Sequence, residues 1–517
     1  MKKPAADPLQ SEFGLISDLI RQHALEAPRR IALIEGERSL DYGALDQLLD
    51  RIAAALQREG LQAGDAIAIC AGMSLDYAAI FLGALRAGVV VAPLAPGATV
   101  DSLAGMVSDA QARLLFIDAG AAELAACAGI GAVPRIALDN SATGRALHDW
   151  LAPAGQRPAG VLIVAQSPFN IIYSSGTTGQ PKGIVQSHGM RWAHVQRVKT
   201  YNYGPDTVTL LSTPLYSNTT LVVFFPTLAA GGLVLLMPKF NALEYLQLAQ
   251  QQCASHTMLV PVQYQRLMAR DDFDAFDLSS FEIKFSTSAP FSASLKADVI
   301  KRWPGALVEL YGMTEGGGTC ILEAHRYPAK LHTVGRPAAG HDIRLIDESG
   351  AELPVGAAGE VVGHSPGMML GYHRQPGKTR EAEWFDGSGK RFIRTGDIGR
   401  FDADGFLTLL DRKKDMIISG GFNIYPSDLE AVLRGHAGVA EAAVVGLPSA
   451  QWGETPVAFV VCRPGSALAA DELLQWVNQR VGKTQRLSRL HLLPELPRSA
   501  IGKVLKRELR ELISPSD

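Results

Sequence analysis

Residues 173–183, Tyr-Ser-Ser-Gly-Thr-Thr-Gly-Gln-Pro-Lys-Gly, decide how this chain is read. Ser174, Ser175, Gly176, Thr177, Thr178, Gly179, Lys182 and Gly183 follow the apolar run Phe169 to Tyr173. Glycines let a backbone turn sharply and present its N–H groups to a ligand. Hydroxyls add donors, and a lysine adds a compact positive charge. That chemistry suits polyphosphate. The nucleotide P-loop needs a glycine, four residues, then Gly-Lys-Ser/Thr. Here Pro181 precedes Lys182 and Gly183 follows it, so the pattern fails on both sides. A Ser/Thr/Gly run by itself equally reads as a polar loop after a strand.

Around this stretch lie 517 residues, too many for one compact core, so at least two domains are expected. The chain is 47% hydrophobic and 20% charged, the composition of a globular protein. A net charge of −3 gives no electrostatic case for nucleic acid or an anionic membrane. Cys70, Cys127, Cys253, Cys320 and Cys462 are odd in number and widely spaced, which argues against a disulfide framework or zinc site. The start, MKKPAADPLQ, has no apolar segment after its lysines and does not read as a secretory signal. A cytoplasmic protein, monomer or homodimer, is expected. Thr220 to Met237 is the most apolar stretch. Pro226, Gly231 and Gly232 interrupt it, so it reads as helix, turn and buried strand.

Upstream, Leu45, Leu48, Leu49, Ile52 and Leu56 fall at helical spacing. Asp65 to Cys70 and Val89 to Pro93 read as strands, with a helix from Leu75 to Ala87 between them. Leu114 to Asp118, Arg135 to Asp139 and Asn170 to Tyr173 continue the alternation. This predicts an α/β fold with largely parallel, helix-covered sheets. Ala119 to Ala132 is too apolar for a linker. Downstream, Val208 to Ser212, Leu233 to Met237 and His256 to Val260 read as strands and Ala242 to Cys253 as a helix. Gly335 to Gly371 reads as a small β-rich subdomain. The charged run Asp411 to Asp415 divides a large domain, 1–411, from a small α+β domain, 412–517. The small domain is predicted as helix Ser427 to Arg434, strands Ala440 to Gly446 and Pro456 to Cys462, helix Asp471 to Val481, strand Arg489 to Leu493 and a helix after Gly502.

Further strings carry chemistry. Ser286 to Pro290, STSAP, follows an apolar strand. Tyr311-Gly312-Met313-Thr314-Glu315 joins an aromatic that can stack on a base, a glycine that leaves room, a hydroxyl and a hard oxygen ligand. Arg394-Thr395-Gly396-Asp397 offers a carboxylate that can accept two bonds from a diol. Gly377-Lys378-Thr379 and Gly482-Lys483-Thr484 imitate P-loop endings, but Tyr372 and Val477 stand where the earlier glycine is needed.

These strings, in this order and across essentially the whole chain, resemble the adenylate-forming superfamily of acyl-CoA synthetases, peptide-synthetase adenylation domains and luciferases. The acyl- and aryl-CoA ligases, such as the 4-chlorobenzoate and 4-coumarate enzymes, are the most similar group. The resemblance implies ATP, Mg²⁺ and CoA as co-substrates and a small-molecule carboxylic acid as partner. Residues 174–183 would hold the β- and γ-phosphates of ATP, with Ser174 where the family more often has threonine. Ser288, Ala289 and Pro290 would lie against adenine, Tyr311 and Gly312 would pack on it, and Thr314 would reach the α-phosphate. Glu315 would bind Mg²⁺. Asp397 and Arg412 would hold the ribose. Lys414 would be the hinge of a mobile C-terminal domain, and Lys503, in PRSAIGKVLKREL, would enter the site for adenylation. Gly420, Gly421 and Trp452 would meet CoA. Arg86 would meet a CoA phosphate, or else close its helix as an ordinary C-terminal arginine.

The acyl site would draw on Tyr216, Ser217, Asn218, Gly312, Gly316 and Gly317. Ser217 stands where the family often has histidine. The aspartate that binds an amino-acid amine in peptide-synthetase domains is missing from this segment. Gly316 to Gly318 imply a roomy cleft for a medium-chain fatty, alicyclic or aromatic acid. No lysine or arginine neighbours these strings, which disfavours dicarboxylates. Loading of an acyl carrier protein in place of CoA is the alternative reading, and a non-catalytic nucleotide-binding protein on the same fold is a third.

Overall fold

A computed structural model describes residues 9, 11–121, 130, 133–139, 141, 143–174, 182–419, 422–449, 452–466, 468–499 and 502–513. The chain forms two compact units. The first comprises Met1–Leu331, Pro337–Asp342 and His364–Ile393, and the second His332–Arg336, Ile343–Gly363 and Arg394–Asp517. In the β-rich middle foreseen for 335–371, Asp342–Ile346 and Ala358–His364 join Arg391–Phe401, Glu383–Phe385 and Leu407–Arg412 in a sheet of their own.

The first unit contains two sheets. In one, Pro168–Ser174, Val90–Leu94, Ala66–Cys70, Leu115–Ile117, Arg135–Ala137 and Arg145–Ala146 are neighbours in that order. All these pairs are parallel. Lys182–Ser187 and Gly371–Tyr372 extend it antiparallel. In the other, Ala306–Gly312, Ile283–Ser286, His256–Leu259, Val208–Leu211, Leu233–Leu236 and Ile31–Glu35 run parallel. Thr319–Glu323 and Arg38–Asp41 are antiparallel additions.

Helices Tyr42–Arg58, Leu75–Arg86 and Asn218–Ala229 share one apolar cluster with strands of both sheets, among them Ile67, Ile69, Leu33 and Leu211. Leu75–Arg86 is buried on every face except at Asp76, as its nearly unbroken apolar sequence requires. Ala66, Ala68 and Cys70 alternate with Ile67 and Ile69 and face a second cluster beneath helix Val100–Asp109. In Thr220 to Met237 the expected break is present: helix Asn218–Ala229, then Gly231 at φ +81°, then strand Leu233–Leu236. No described helix is long and apolar enough to cross a membrane.

In the second unit Val439–Ser449 and Gly453–Cys462 pair antiparallel, and Arg489–Leu492 adds in parallel. Ala442, Val444, Ala458 and Val460 face helices Pro426–Arg434 and Ala470–Asn478. Ala443, Val445, Val457 and Phe459 face Leu509 of helix Lys506–Glu511. Period-two alternation thus gives this sheet two cores of its own. Strand Phe422–Ile424, which pairs with Ile417–Ser419, was not foreseen. Its run is too short for periodicity to reveal.

Candidate active site

Strands Pro168–Ser174 and Lys182–Ser187 pair up to Tyr173 opposite Gly183 and Ser174 opposite Lys182. A Cβ on Gly183 would stand 2.8 Å from Ile171 Cγ2, so only glycine lets the strands meet here. The ends of the phosphate stretch are thereby fixed. Ser175, Gly176, Thr177, Thr178 and Gly179 lie outside the described residues, as do Gly420 and Gly421.

Gly371–Tyr372 lies beside Lys182–Ser187 and brings the Tyr372 ring to Lys182, whose Nζ sits 5.1 Å from the ring centroid. The Tyr372 hydroxyl donates to Glu315 Oε1 at 2.9 Å. Burial, reinforced by the Glu315 charge, pushes the phenol up, so it remains a protonated donor. Gln186 Nε2 donates to the Thr314 carbonyl at 2.7 Å, and Arg191 donates to Gln186 Oε1. The Met369 N–H donates to the Glu315 carbonyl at 2.8 Å. Thr314 and Glu315 are thus held from three sides by residues that carried no motif. The failed P-loop ending at 377–379 drew attention to Tyr372 only as a missing glycine.

Parallel strands Ile283–Ser286 and Ala306–Gly312 release the STSAP and YGMTE loops at the same sheet edge. The carboxyl ends of parallel strands are where open α/β sheets bind ligands. Ser288 adopts φ +80°, uncommon for a residue with a side chain, and its hydroxyl lies 2.5 Å from Thr219 Oγ1. Thr219 is in the first turn of helix Asn218–Ala229, which Ser217 caps by accepting from the Thr219 N–H. Ser217 and Asn218 are therefore neighbours of Ser288, and half-buried Tyr216 immediately precedes them. Asn218 Oδ1 is buried without a hydrogen-bond partner among the described residues.

Gly316 and Gly318 adopt backbone conformations that favour glycine. Gly316 has φ +74°, and a Cβ there would stand 2.0 Å from the Gly367 carbonyl oxygen. Gly318 has φ +91°. A Cβ on Gly312 would come 3.3 Å from the Gly318 carbonyl oxygen.

In the second unit Asp397 and Arg412 are direct cross-strand partners, and Arg412 Nε lies 2.7 Å from Asp397 Oδ1. The Asp397 N–H donates to Thr395 Oγ1 at 3.0 Å. Lys414 is exposed in a turn closed by the Asp415 and Met416 N–H groups on the Arg412 carbonyl. Trp452 is 52% exposed and adjoins Gly453, which pairs with Ser419. Lys503 is exposed in a short hairpin closed by an Arg498–Val504 bridge, with Gly502 before it at φ +75°. The helix begins three residues later, at Lys506, so Lys503 belongs to a turn rather than to the helix mouth.

Arg86 is a correction. It is 8% exposed, and its guanidinium lies 2.6 Å from Asp46 and 2.8 Å from Asp50. A buried arginine matched by two carboxylates ties helix Leu75–Arg86 to helix Tyr42–Arg58 and does not stand open for a coenzyme phosphate.

The residues present fit Mg²⁺. Tyr372 occupies one oxygen of Glu315, which leaves the carboxylate able to serve as a hard ligand. Among the described residues no group of three or more His, Cys, Asp or Glu could hold a metal alone. Mg²⁺ in nucleotide sites takes one or two carboxylates from protein, with water and phosphate oxygens as further ligands, and Glu315 would supply such a carboxylate.

Residues 20–373 match the AMP-binding enzyme family, and 428–503 match the AMP-binding enzyme C-terminal domain. The chain is 32% identical over 503 residues to a feruloyl-CoA synthase from Amycolatopsis sp, covering 96% of this chain and 98% of that protein. It is 32% identical over 513 residues to an indoleacetate–CoA ligase from Aromatoleum aromaticum, with the same coverage. ATP-bound MatB from Rhodopseudomonas palustris superposes with a TM-score of 0.85 at 30% identity, over 96% of this chain and 98% of that one. The chain therefore belongs to the AMP-binding enzyme family, the adenylate-forming superfamily, and is an AMP-forming acid–thiol ligase that uses ATP, Mg²⁺ and CoA.

Proposed function

We propose that this ligase activates a medium-chain fatty, alicyclic or aromatic acid and transfers it to CoA. The observation that carries this reading is the cradle around Thr314 and Glu315, built by Gln186, Tyr372 and the ends of the phosphate stretch. An oxygen of the acid attacks the α-phosphorus of ATP. The bond to the β-phosphate bridging oxygen breaks, and pyrophosphate leaves. Thr314 orients the α-phosphate, Asp397 and Arg412 hold the ribose, and Lys503 offsets charge that develops between carboxylate and phosphate. Bound Mg²⁺ neutralises phosphate charge beside Glu315. In the second step CoA sulfur attacks the acyl carbon and AMP leaves.

Residues 412–517 act as the mobile part, with Lys414 as hinge, and exchange Lys503 for Gly420 and Gly421 between the steps. Trp452 packs near the coenzyme. The feruloyl and indoleacetate relatives act on aryl acids, which supports an aromatic acid as the first choice. The deciding experiment is pyrophosphate release and product analysis with aryl, alicyclic and fatty acids, offered CoA or a phosphopantetheinylated carrier protein. Release with no acid sinks the reading, and transfer to carrier alone replaces CoA as acceptor.

A further inference from the structure

We infer that the acid used by this chain bears a second oxygen acceptor far from its reacting carboxylate, and that Arg197 and His341 bind it. The inference rests on the ligase reading above. The Thr319 N–H donates to His341 Nδ1 at 2.9 Å. Arg197 Nη2 stands 3.1 Å from His341 Nε2. A neutral imidazole has one acceptor nitrogen, and a guanidinium only donates. If Nδ1 accepts from Thr319, Nε2 carries the proton and faces another donor. If the tautomer is reversed, the clash moves to Thr319. In either case the site has one donor more than it has acceptors. An oxygen beside Nε2 and Nη2 would take both N–H groups.

Tyr201 acts electrostatically on Arg197, and Glu323 acts on Tyr201. Arg197 forms no ion pair with a carboxylate among the described residues. His194, on the neighbouring turn, has a buried Nδ1 without a partner. Burial pushes His341 down to about 4, and Arg197 pushes in the same direction. His194 is held down by burial and by Arg191, Arg197 and His341. Arg191 and Arg197 thus share a desolvated place with two neutral imidazoles, and Arg197 has no carboxylate partner there among the described residues.

This place adjoins the residue that follows the glycines on which the acyl reading draws. Thr319 follows the three glycines after Glu315, so it lies at most about 14 Å of extended chain from that residue. Tyr201 adjoins Arg197, and its ring meets Phe285, on the strand that leads to Ser288, at 5.0 Å. Arg197 lies 19 residues before Tyr216, and through His341 it reaches Thr319, the residue after Gly318. A ring with a short arm, or a chain of comparable length, would bring a hydroxyl, carbonyl or carboxylate oxygen to this site.

The test compares kcat/KM for 4-hydroxycinnamate against cinnamate and for octanedioate against octanoate, which separates a neutral acceptor from an anionic one. Wild-type enzyme should prefer the oxygen-bearing member of at least one pair by about tenfold or more. Arg197→Met should bring that ratio to about one while the plain acid stays within about threefold, and Arg197→Lys should restore part of the preference. Equal rates within both pairs in wild-type enzyme, or an unchanged ratio in Arg197→Met, overturn the inference. Should Arg197→Met fail to fold, the melting shift of wild-type enzyme with each acid and ATP decides, and equal shifts overturn it. Absence of pyrophosphate release with every acid would defeat the ligase reading itself and this inference with it.

Discussion

The Tyr372 hydroxyl donates to Glu315 Oε1 across 57 positions of sequence while its ring faces the Lys182 ammonium. One side chain therefore contacts both the residue that closes the phosphate stretch and the carboxylate suited to Mg²⁺. Tyr372→Phe keeps the ring and removes the donor. A charge-assisted bond of about 1.5–3 kcal/mol would be lost, so kcat/KM for pyrophosphate release should fall at least about tenfold. The Mg²⁺ concentration needed for half-maximal rate should rise. Thioester formation from pre-made acyl-adenylate should be spared, and an unchanged Mg²⁺ requirement would remove Tyr372 from this role.

Lys503→Ala should separate the half-reactions. Adenylation should drop by about 10²-fold or more if the ammonium stabilises charge that develops in the transition state. Transfer from synthetic acyl-adenylate to CoA should persist. Equal losses in both steps would show that Lys503 has no special part in the first.

Asp397→Ala removes the carboxylate and leaves Arg412 without its cross-strand partner. ATP and AMP should each bind about 1–3 kcal/mol more weakly. Calorimetric titration of the folded variant is the check, and unaltered affinity for both nucleotides would end the ribose assignment.

Gly316→Ala tests whether the glycines make acyl room or serve the backbone. The left-handed φ and the nearby Gly367 carbonyl predict a loss of about 2–4 kcal/mol in stability. The kcat/KM ratio between short and bulky acids should hardly change. A stable variant that rejects only bulky acids would return Gly316 to the acyl pocket.

Acid should destabilise the fold through buried histidines. His188 is 6% exposed, and burial pushes it down to about 4, below the unfolded value of about 6.5. The unfolded chain therefore binds the extra proton between these values. The stability this residue contributes is complete above about pH 6.5 and declines as pH falls toward 4, by about 2 kcal/mol at pH 5. His188→Phe should shrink the difference in urea midpoint between pH 7 and pH 5. No change in that difference would mean that His188 is not excluded from protonation.

The strand–helix alternation of the first unit and most strands and helices of the second were legible because both follow local periodicity. Ala66, Ala68 and Cys70 against Ile67 and Ile69 already state which faces are covered. Glycine, hydroxyl and carboxylate strings marked a candidate nucleotide site for a similar reason, since their chemistry is contiguous in sequence. The small irregular strands, such as Phe422–Ile424, were missed because three residues do not complete a period.

The sequence alone determined the class of fold, the order of the chemical strings and the candidates proposed for a nucleotide and its metal. Tertiary structure decided how those residues are held and what lies beside them. Gln186 meets Thr314 across 128 positions, and Arg197 meets His341 across 144. Arg86 became a buried partner of Asp46 and Asp50 because helix Leu75–Arg86 is enclosed between two sheets. Periodicity and motif spacing report only what one element turns toward a face. Which side chain stands opposite is set when distant elements pack, and desolvation at that moment makes each partner, or its absence, count.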